Sequence, residues 1–420
     1  MRLFFYFILT FLFLLPVPLQ AGTIDDQTLD GYYRSALSHS LKIKISSEEI
    51  DQARARYLQA LGNITPVLTG TASYFFQDNA NTTSGASSFF KTRQPAVGVN
   101  MSVPLFQGFK EMIALKMSRY DKILAGQKVM QAERALFMDV AATYFSIMRL
   151  DRTIQCINEM IAVHQKTTDE VYQRVAVGKS LPSELLAQES RMSLLVAEKQ
   201  TYLAERAVQD EIMAYLTGRG LSLVPRGNDA AYKKQMTLPQ LLSGVDSHPD
   251  IKAVEMEAHL ARLNKKAISS ELLPQVSLSA NYYPHRSGFY ESVKWDSKFT
   301  VELPLFDLNK IGQIREYSSL QRQAASTRAD TIELLRSQIR QGYQYHQGLD
   351  KAVRSYSLAA QKARGHMGQV LTDYRSGLAT PLEVLKAQGD YEEVSKKYQA
   401  ISVDFLFDTV KLQFTAGVIP

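Results

Sequence analysis

The sequence predicts a mixed α/β chain made of two copies of one unit, each a pair of strands followed by a long helical hairpin. Three observations carry this. Pro-Leu-Phe closes an alternating apolar segment twice, at Pro104-Leu105-Phe106 and Pro304-Leu305-Phe306, a separation of 200 residues (304 − 104). A charged helical pattern of more than sixty residues follows each copy. Both hairpins turn on the same Gly-x-x-x-Pro-x-Glu spacing, from Gly178 to Glu184 and from Gly377 to Glu383. A switch from period two to period 3.6 at a proline, repeated in the same order, marks an internal duplication.

Residues 1–21 read as a secretory signal. Arg2 is the basic start, Leu3–Leu15 the apolar run, and Pro16 and Pro18 break it before Ala21. The first repeat spans 22–218. Asp25–Gly62 is expected as a helix, with Leu29, Tyr32, Tyr33, Ala36 and Leu37 on one face. The first strand pair falls at 65–77 and 94–106. In PVLTGTASYFF, Leu68, Gly70, Ala72, Tyr74 and Phe76 point one way and Val67, Thr69, Thr71, Ser73 and Phe75 the other. Val97, Val99, Met101 and Val103 repeat the alternation after a polar loop, 78–93. The hairpin at 108–217 carries a 3-4 stripe of Phe137, Val140, Ala141, Tyr144 and Met148.

A connector at 219–247 leads to the second repeat, 248–420, where Pro249 in His248-Pro249-Asp250 starts a helix. The second strand pair is expected at 273–283 and 293–306. Val276, Leu278, Ala280 and Tyr282 form the apolar face of the third strand, and Val293, Trp295, Phe299, Val301 and Leu303 that of the fourth, opposite Lys294, Asp296, Lys298, Thr300 and Glu302. The second hairpin covers 310–416.

All four strands set an apolar face against a polar one, with aromatics near the strand ends: Tyr74, Phe76, Tyr282 and Trp295. Strands of about ten residues suit a tilted membrane crossing. Lipid tolerates no open sheet edge, and membrane barrels begin at about eight strands. Four strands cannot close, so a membrane setting demands that several chains share one barrel. Two chains give the smallest barrel, filled with side chains, and three give twelve strands with room for a lumen. The physics requires an oligomer without choosing the number.

Composition argues against chemistry. The formal net charge is +6, but its 48 basic and 42 acidic residues are interleaved, so a nucleic-acid partner is not expected. The single cysteine, Cys156, cannot form an internal disulfide. Seven scattered histidines make no ligand pair, and no HExxH, GxSxG or phosphate-cradling loop occurs. No catalytic, cofactor or metal site is expected.

The order helix, strand pair ending VPLF, long hairpin, HPDI, a helix running into ELLP, and LPLF resembles the TolC-like outer membrane factor family over about Asp25 to Val418. The resemblance implies a trimer: a twelve-stranded outer-membrane barrel, four strands per chain, continuous with a long periplasmic α-helical barrel. It implies a passive exit duct for efflux or type I secretion, with outer-membrane lipid around the strands. A periplasmic adaptor and an inner-membrane transporter are its implied partners. The adaptor contact is implied at the turns, on Gly178, Leu181, Pro182, Gly377 and Pro381. The family's closed periplasmic end maps onto Tyr374, Glu383 and Lys386. Lys386 reverses the charge of the family's second aspartate, and Ala379 stands where a gate arginine is expected. The rival reading is a periplasmic adaptor or other coiled-coil interaction protein, with the strands in a soluble domain.

Overall fold

The computed structural model describes residues 27–76, 93–218, 236–287 and 291–418. The expected signal, most of the 78–93 loop and much of the connector lie outside the described residues. The chain order is α1 (Leu29–His39), α2 (Leu41–Gly62), β1 (Val67–Phe76), β2 (Arg93–Gln107), α3 (Lys110–Ala176) and α4 (Pro182–Thr217). There follow α5 (Leu238–Leu242), α6 (Pro249–Ser270), β3 (Gln275–Arg286), β4 (Trp295–Glu302), α7 (Leu308–Arg375) and α8 (Pro381–Thr415).

One expected helix is two. Ser40 stands in extended conformation between α1 and α2 (φ −60°, ψ 118°). Its N–H donates to Ala36 O at 2.8 Å, closing α1. Its hydroxyl accepts from Ile43 N at 3.4 Å, opening α2. A serine that can cap a helix competes with continuing one.

The strands make one antiparallel sheet in the order β1-β2-β3-β4. Leu68 faces Met101, Val99 faces Tyr282, and Leu278 faces Phe299, so the apolar residues share one side. That side is bare in the single chain: Leu68 is 70% exposed and Phe299 63%. On the opposite side a polar row crosses the sheet. Asn100 donates to Asn281, and Asn281 Nδ2 donates to Asp296 Oδ1 at 2.7 Å.

The two Pro-Leu-Phe joints differ. β2 runs through Pro104 to Gln107, its pairing with β3 slipping between Pro104 and Phe106. β4 was expected to reach Phe306 but ends at Glu302. Its partner β3 begins at Gln275, opposite Glu302, and Pro304 has no N–H to extend the ladder.

Below the sheet, α3 and α7 contain 67 and 68 residues. At 1.5 Å per residue each runs about 100 Å. The α3–α4 and α7–α8 hairpins lie side by side, with α2 and α6 flanking them. The largest core cluster joins Tyr32 and Ala36 of α1 to Phe137, Val140, Tyr144 and Met148 of α3 and to Val403, Leu406 and Val410 of α8. A second cluster joins Leu241, Ile251, Leu335, Ile339 and Leu412.

The strand-to-helix joint is tight. Gly108 and Phe109 both take left-handed backbone (φ 64° and 68°). A Cβ on Gly108 would stand 2.2 Å from Ser270 O. Gly108→Ala is therefore expected to cost about 3 kcal/mol, since left-handed strain and a backbone clash add. The melting temperature of the detergent-solubilised protein checks this; an unchanged value would contradict the close approach. Beside it, Glu271 at the end of α6 takes Lys110 Nζ at 2.7 Å and Lys310 on its other oxygen. The two lysine hydrogen bonds hold the Glu271 carboxyl below its usual range. One carboxylate thus ties the starts of both long hairpins.

Candidate functional site

The hairpin tips farthest from the sheet gather most of the residues singled out by the sequence. Gly178 and Gly377 are left-handed (φ 71° and 77°). Lys179 N donates to Arg174 O, and Leu378 N to Asp373 O, both at 2.8 Å. These are the six-to-one bonds that end a helix on glycine. Pro182 and Pro381 then open the returning helices as first residues.

The glutamate of the repeated motif has a local task in both copies. Leu181 N donates to Glu184 Oε2 at 2.9 Å, and Thr380 N donates to Glu383 Oε2 at 2.7 Å. Glu383 N in turn donates to Thr380 Oγ1 at 3.3 Å, completing a capping box. The Thr380 backbone N–H, and then its hydroxyl, hold the Glu383 carboxyl below its usual range. Lys386 is exposed one turn on, and the described residues contain no ion pair between it and Glu383. The turns present apolar side chains to solvent: Leu181, Leu378 and Leu382 are all more than 60% exposed.

Just behind the tips the two hairpins are tied by two arginines working in opposite directions. Arg174, in the last turn of α3, donates to Tyr374 O and Arg375 O at 3.0 Å each, at the carbonyl end of α7. Its guanidinium lies 4.2 Å over the Tyr374 ring. Arg375 reaches back and forks onto Glu170 of α3, the shortest contact being 2.6 Å. Tyr374 is buried against Val171 and Val384. Its hydroxyl finds no partner among the described residues.

Sequence reasoning picked out Tyr374 but missed Glu170, Arg174 and Arg375. A signal was present: both arginines sit in the last turn of a long helix, where cations complement exposed carbonyls.

About two turns farther up, a polar seam interrupts the apolar packing. Glu392 of α8 is fully buried between His164 of α3 and Arg191 of α4, one oxygen to each. His164 Nδ1 lies 3.2 Å from Gln188 Oε1, and Gln388 Nε2 donates to Thr167 Oγ1 at 2.9 Å. Burial pushes the Glu392 carboxyl up, but the His164 and Arg191 bonds together bring it below its usual value. Nothing in the sequence pointed to this seam, because its members lie on three helices more than 200 residues apart at the extreme (392 − 164).

At the other end, Tyr74 and Phe76 pack with ring centroids 4.7 Å apart, and Tyr282 pairs with Trp295. All four project from the apolar face at the sheet end remote from the helices. No described helix is long and apolar enough to cross a membrane, and the described residues hold no cluster suited to a metal ion.

The sequence profile for outer membrane efflux proteins matches residues 32–214 and 244–416, one segment in each half of the chain. No curated protein sequence matches. Solved structures do. The outer membrane protein VceC from Vibrio cholerae aligns with TM-score 0.80 at 18% identity, covering 93% of this chain and 96% of VceC. CusC, solved in a study of folding and transmembrane channel formation, aligns with TM-score 0.84 at 17% identity, covering 94% and 92%. The open state of the Neisseria gonorrhoeae MtrE outer membrane channel aligns with TM-score 0.78 at 16% identity, covering 93% and 89%.

Proposed function

The chain belongs to the outer membrane efflux protein family, and from that premise we propose that it is a passive exit duct, three copies closing one twelve-stranded barrel over a periplasmic barrel of helices. The observation that carries this is the sheet. It has four strands, two open edges at β1 and β4, and an apolar face left bare. Lipid leaves no open edge unsatisfied, so β4 of one copy pairs with β1 of the next. Two copies would fill their barrel with side chains, whereas a duct needs a lumen, which three provide. The helices carry matching signs: Leu186, Leu194, Val208 and Tyr215 are exposed along α4, a face for neighbouring copies to cover. Family membership leaves the adaptor alternative without support.

In this reading the tips form the periplasmic gate. The exposed Glu383 and Lys386 face the axis, with Tyr374 buried just behind them as the packing centre, and the Arg174–Tyr374 and Arg375–Glu170 contacts hold α7 against α3 in the shut position. The exposed Leu181, Leu378 and Leu382 offer a periplasmic adaptor its contact at Gly178, Pro182, Gly377 and Pro381. An inner-membrane transporter supplies the energy and the passenger, for efflux or type I secretion. The buried, unpaired Tyr374 hydroxyl favours release, because such a group costs about 1–3 kcal/mol.

Planar-bilayer recording tests the gate. Arg174→Ala is expected to raise conductance clearly, since it removes two carbonyl bonds and the ring stack. Arg375→Ala should do less, because its pair with Glu170 is more than half exposed on the arginine side. Equal, wild-type-like conductance in both variants would contradict the proposal.

A further inference from the structure

The internal duplication supplies a template for a contact that one chain cannot make. Gly178 and Gly377 are 199 residues apart (377 − 178), and at that offset α3 corresponds to α7 and α4 to α8. The buried Leu136 and Leu335 correspond, as do Tyr144 and Tyr343. Within the chain α8 docks on α3. Gln388 Nε2 donates to Thr167 Oγ1 at 2.9 Å, Cys156 Sγ donates to Ser395 Oγ at 3.2 Å, and the Phe145 and Phe407 rings lie 5.7 Å apart. The corresponding partners are α4 and α7. In one chain, however, α4 packs on α3, α3 on α8 and α8 on α7, so these two are the outer helices of the row. Their matching faces are bare. Counting 199 back from α8, Gln388, Ser395 and Phe407 become Glu189, Val196 and Val208, all exposed. Counting 199 on from α3, Thr167, Cys156 and Phe145 become His366, Ser355 and Gln344, also exposed.

We infer that α4 of one copy docks along α7 of the next as α8 docks on α3, with Glu189 meeting His366 and Lys362, and Glu211 meeting Arg340. The inference rests on the shared-barrel reading and names the faces by which the copies join. Such a head-to-tail contact, repeated, closes a ring. Charge fits this register. Arg340, Lys351 and Lys362 recur every eleven residues on α7, and Glu189, Gln200 and Glu211 every eleven on α4. Eleven residues make about three turns, so each set forms one line along its helix. The two helices run in opposite directions, which sets Glu189 and Lys362 together toward the tips and Glu211 and Arg340 together away from them. Among the described residues none of Glu189, Glu211, Arg340, Lys351 and Lys362 has an ion-pair partner. The neighbouring charges are engaged or point elsewhere. Asp350 takes Arg354, Glu198 takes Lys396, and Asp210 takes Arg206. Lys199, Glu205 and Arg364 lie about 100° or more around their helices from the two lines. Asp373, next on the α7 line, falls opposite Pro182 at the start of α4. Where α3 and α8 set Phe145 against Phe407, α7 and α4 offer Gln344 and Val208, so charge weighs more between copies than within one.

The test uses the full-length protein extracted in mild detergent, with its dissociation into single chains on heating followed by light scattering. Glu189→Lys and Lys362→Glu should each lower the dissociation midpoint by several degrees, and by more at low salt. In the chain that carries both, opposite charges meet again across copies, and most of the loss should be regained. That recovery separates a lost contact from a folding defect. Arg364→Glu, a reversal off the line, should shift the midpoint less. Proximity is checked in a Cys156→Ser chain carrying Glu189→Cys and His366→Cys. A short bismaleimide should link its copies into covalent trimers on a denaturing gel. Losses that simply add in the double variant, or chains that stay single after the bismaleimide, overturn the inference. A wild-type particle of one chain's mass would instead overturn the shared barrel beneath it.

Discussion

Replacing Glu392 by alanine is expected to destabilise the docking of the two hairpins by about 3–5 kcal/mol, the range found when one partner of a buried ion pair is removed. Glu392 is fully buried and His164 is 1% exposed. Without the carboxylate, His164 and Arg191 both lose the acceptor they share, and His164 keeps only Gln188. Glu392→Gln keeps the volume and one acceptor and should cost less. Arg191→Ala should cost less again, since its side chain is 32% exposed and water replaces part of what is lost.

The same carboxylate gives a pH dependence of definite sign. Its folded pKa lies below the ordinary value of 4.5. Its contribution is therefore complete above that value and is lost as pH falls through the lower folded one. Thermal melts of the solubilised protein should show a melting temperature several degrees lower for Glu392→Ala near neutral pH, with the gap to wild type closing in acid. A gap that is absent, or that widens in acid, would contradict the assignment.

A comparable loss is expected from a single charge on the wrong side of the sheet. Phe299 sits in the middle of β4 on the apolar face, paired with Leu278. In the shared-barrel reading, Phe299→Lys places an ammonium near the bilayer midplane, at about 2–4 kcal/mol per chain, three times over in a trimer. Thr300→Lys, one residue along, puts the same charge on the polar face and should be tolerated. Outer-membrane fractionation and heat-modifiable migration distinguish the two. Equal behaviour of the variants would mean that the faces are not lipid and lumen.

The contrast between these sites shows what the sequence made legible. Period-two alternation sorted Phe299 and Thr300 onto opposite faces, and pairing with Leu278 and Ser277 keeps them there. The stripe from Phe137 to Met148 was likewise readable, and those residues lie in the main core. Caps were harder. Ser40 looks like any helical serine until its hydroxyl is seen on Ile43 N. Glu383 drew attention for its charge, yet one of its oxygens is occupied by Thr380. The bulge in β3, where Tyr283 and Pro284 stand opposite Gly98 alone, escaped the alternation rule because one added residue inverts the faces beyond it. His164, Arg191 and Glu392 could not have been joined from the sequence at all: each is one of many polar residues in a long amphipathic helix, as Gln165, Glu189 and Glu393 beside them show, and only tertiary packing brings the three together.

The most direct test of the shared barrel is the protein mass of the particle extracted from outer membranes in mild detergent, measured by light scattering with the detergent subtracted. Three times the mass of the mature chain is the expected result. A water-soluble particle of one chain's mass would contradict it, and with it the lipid assignment of all four strands.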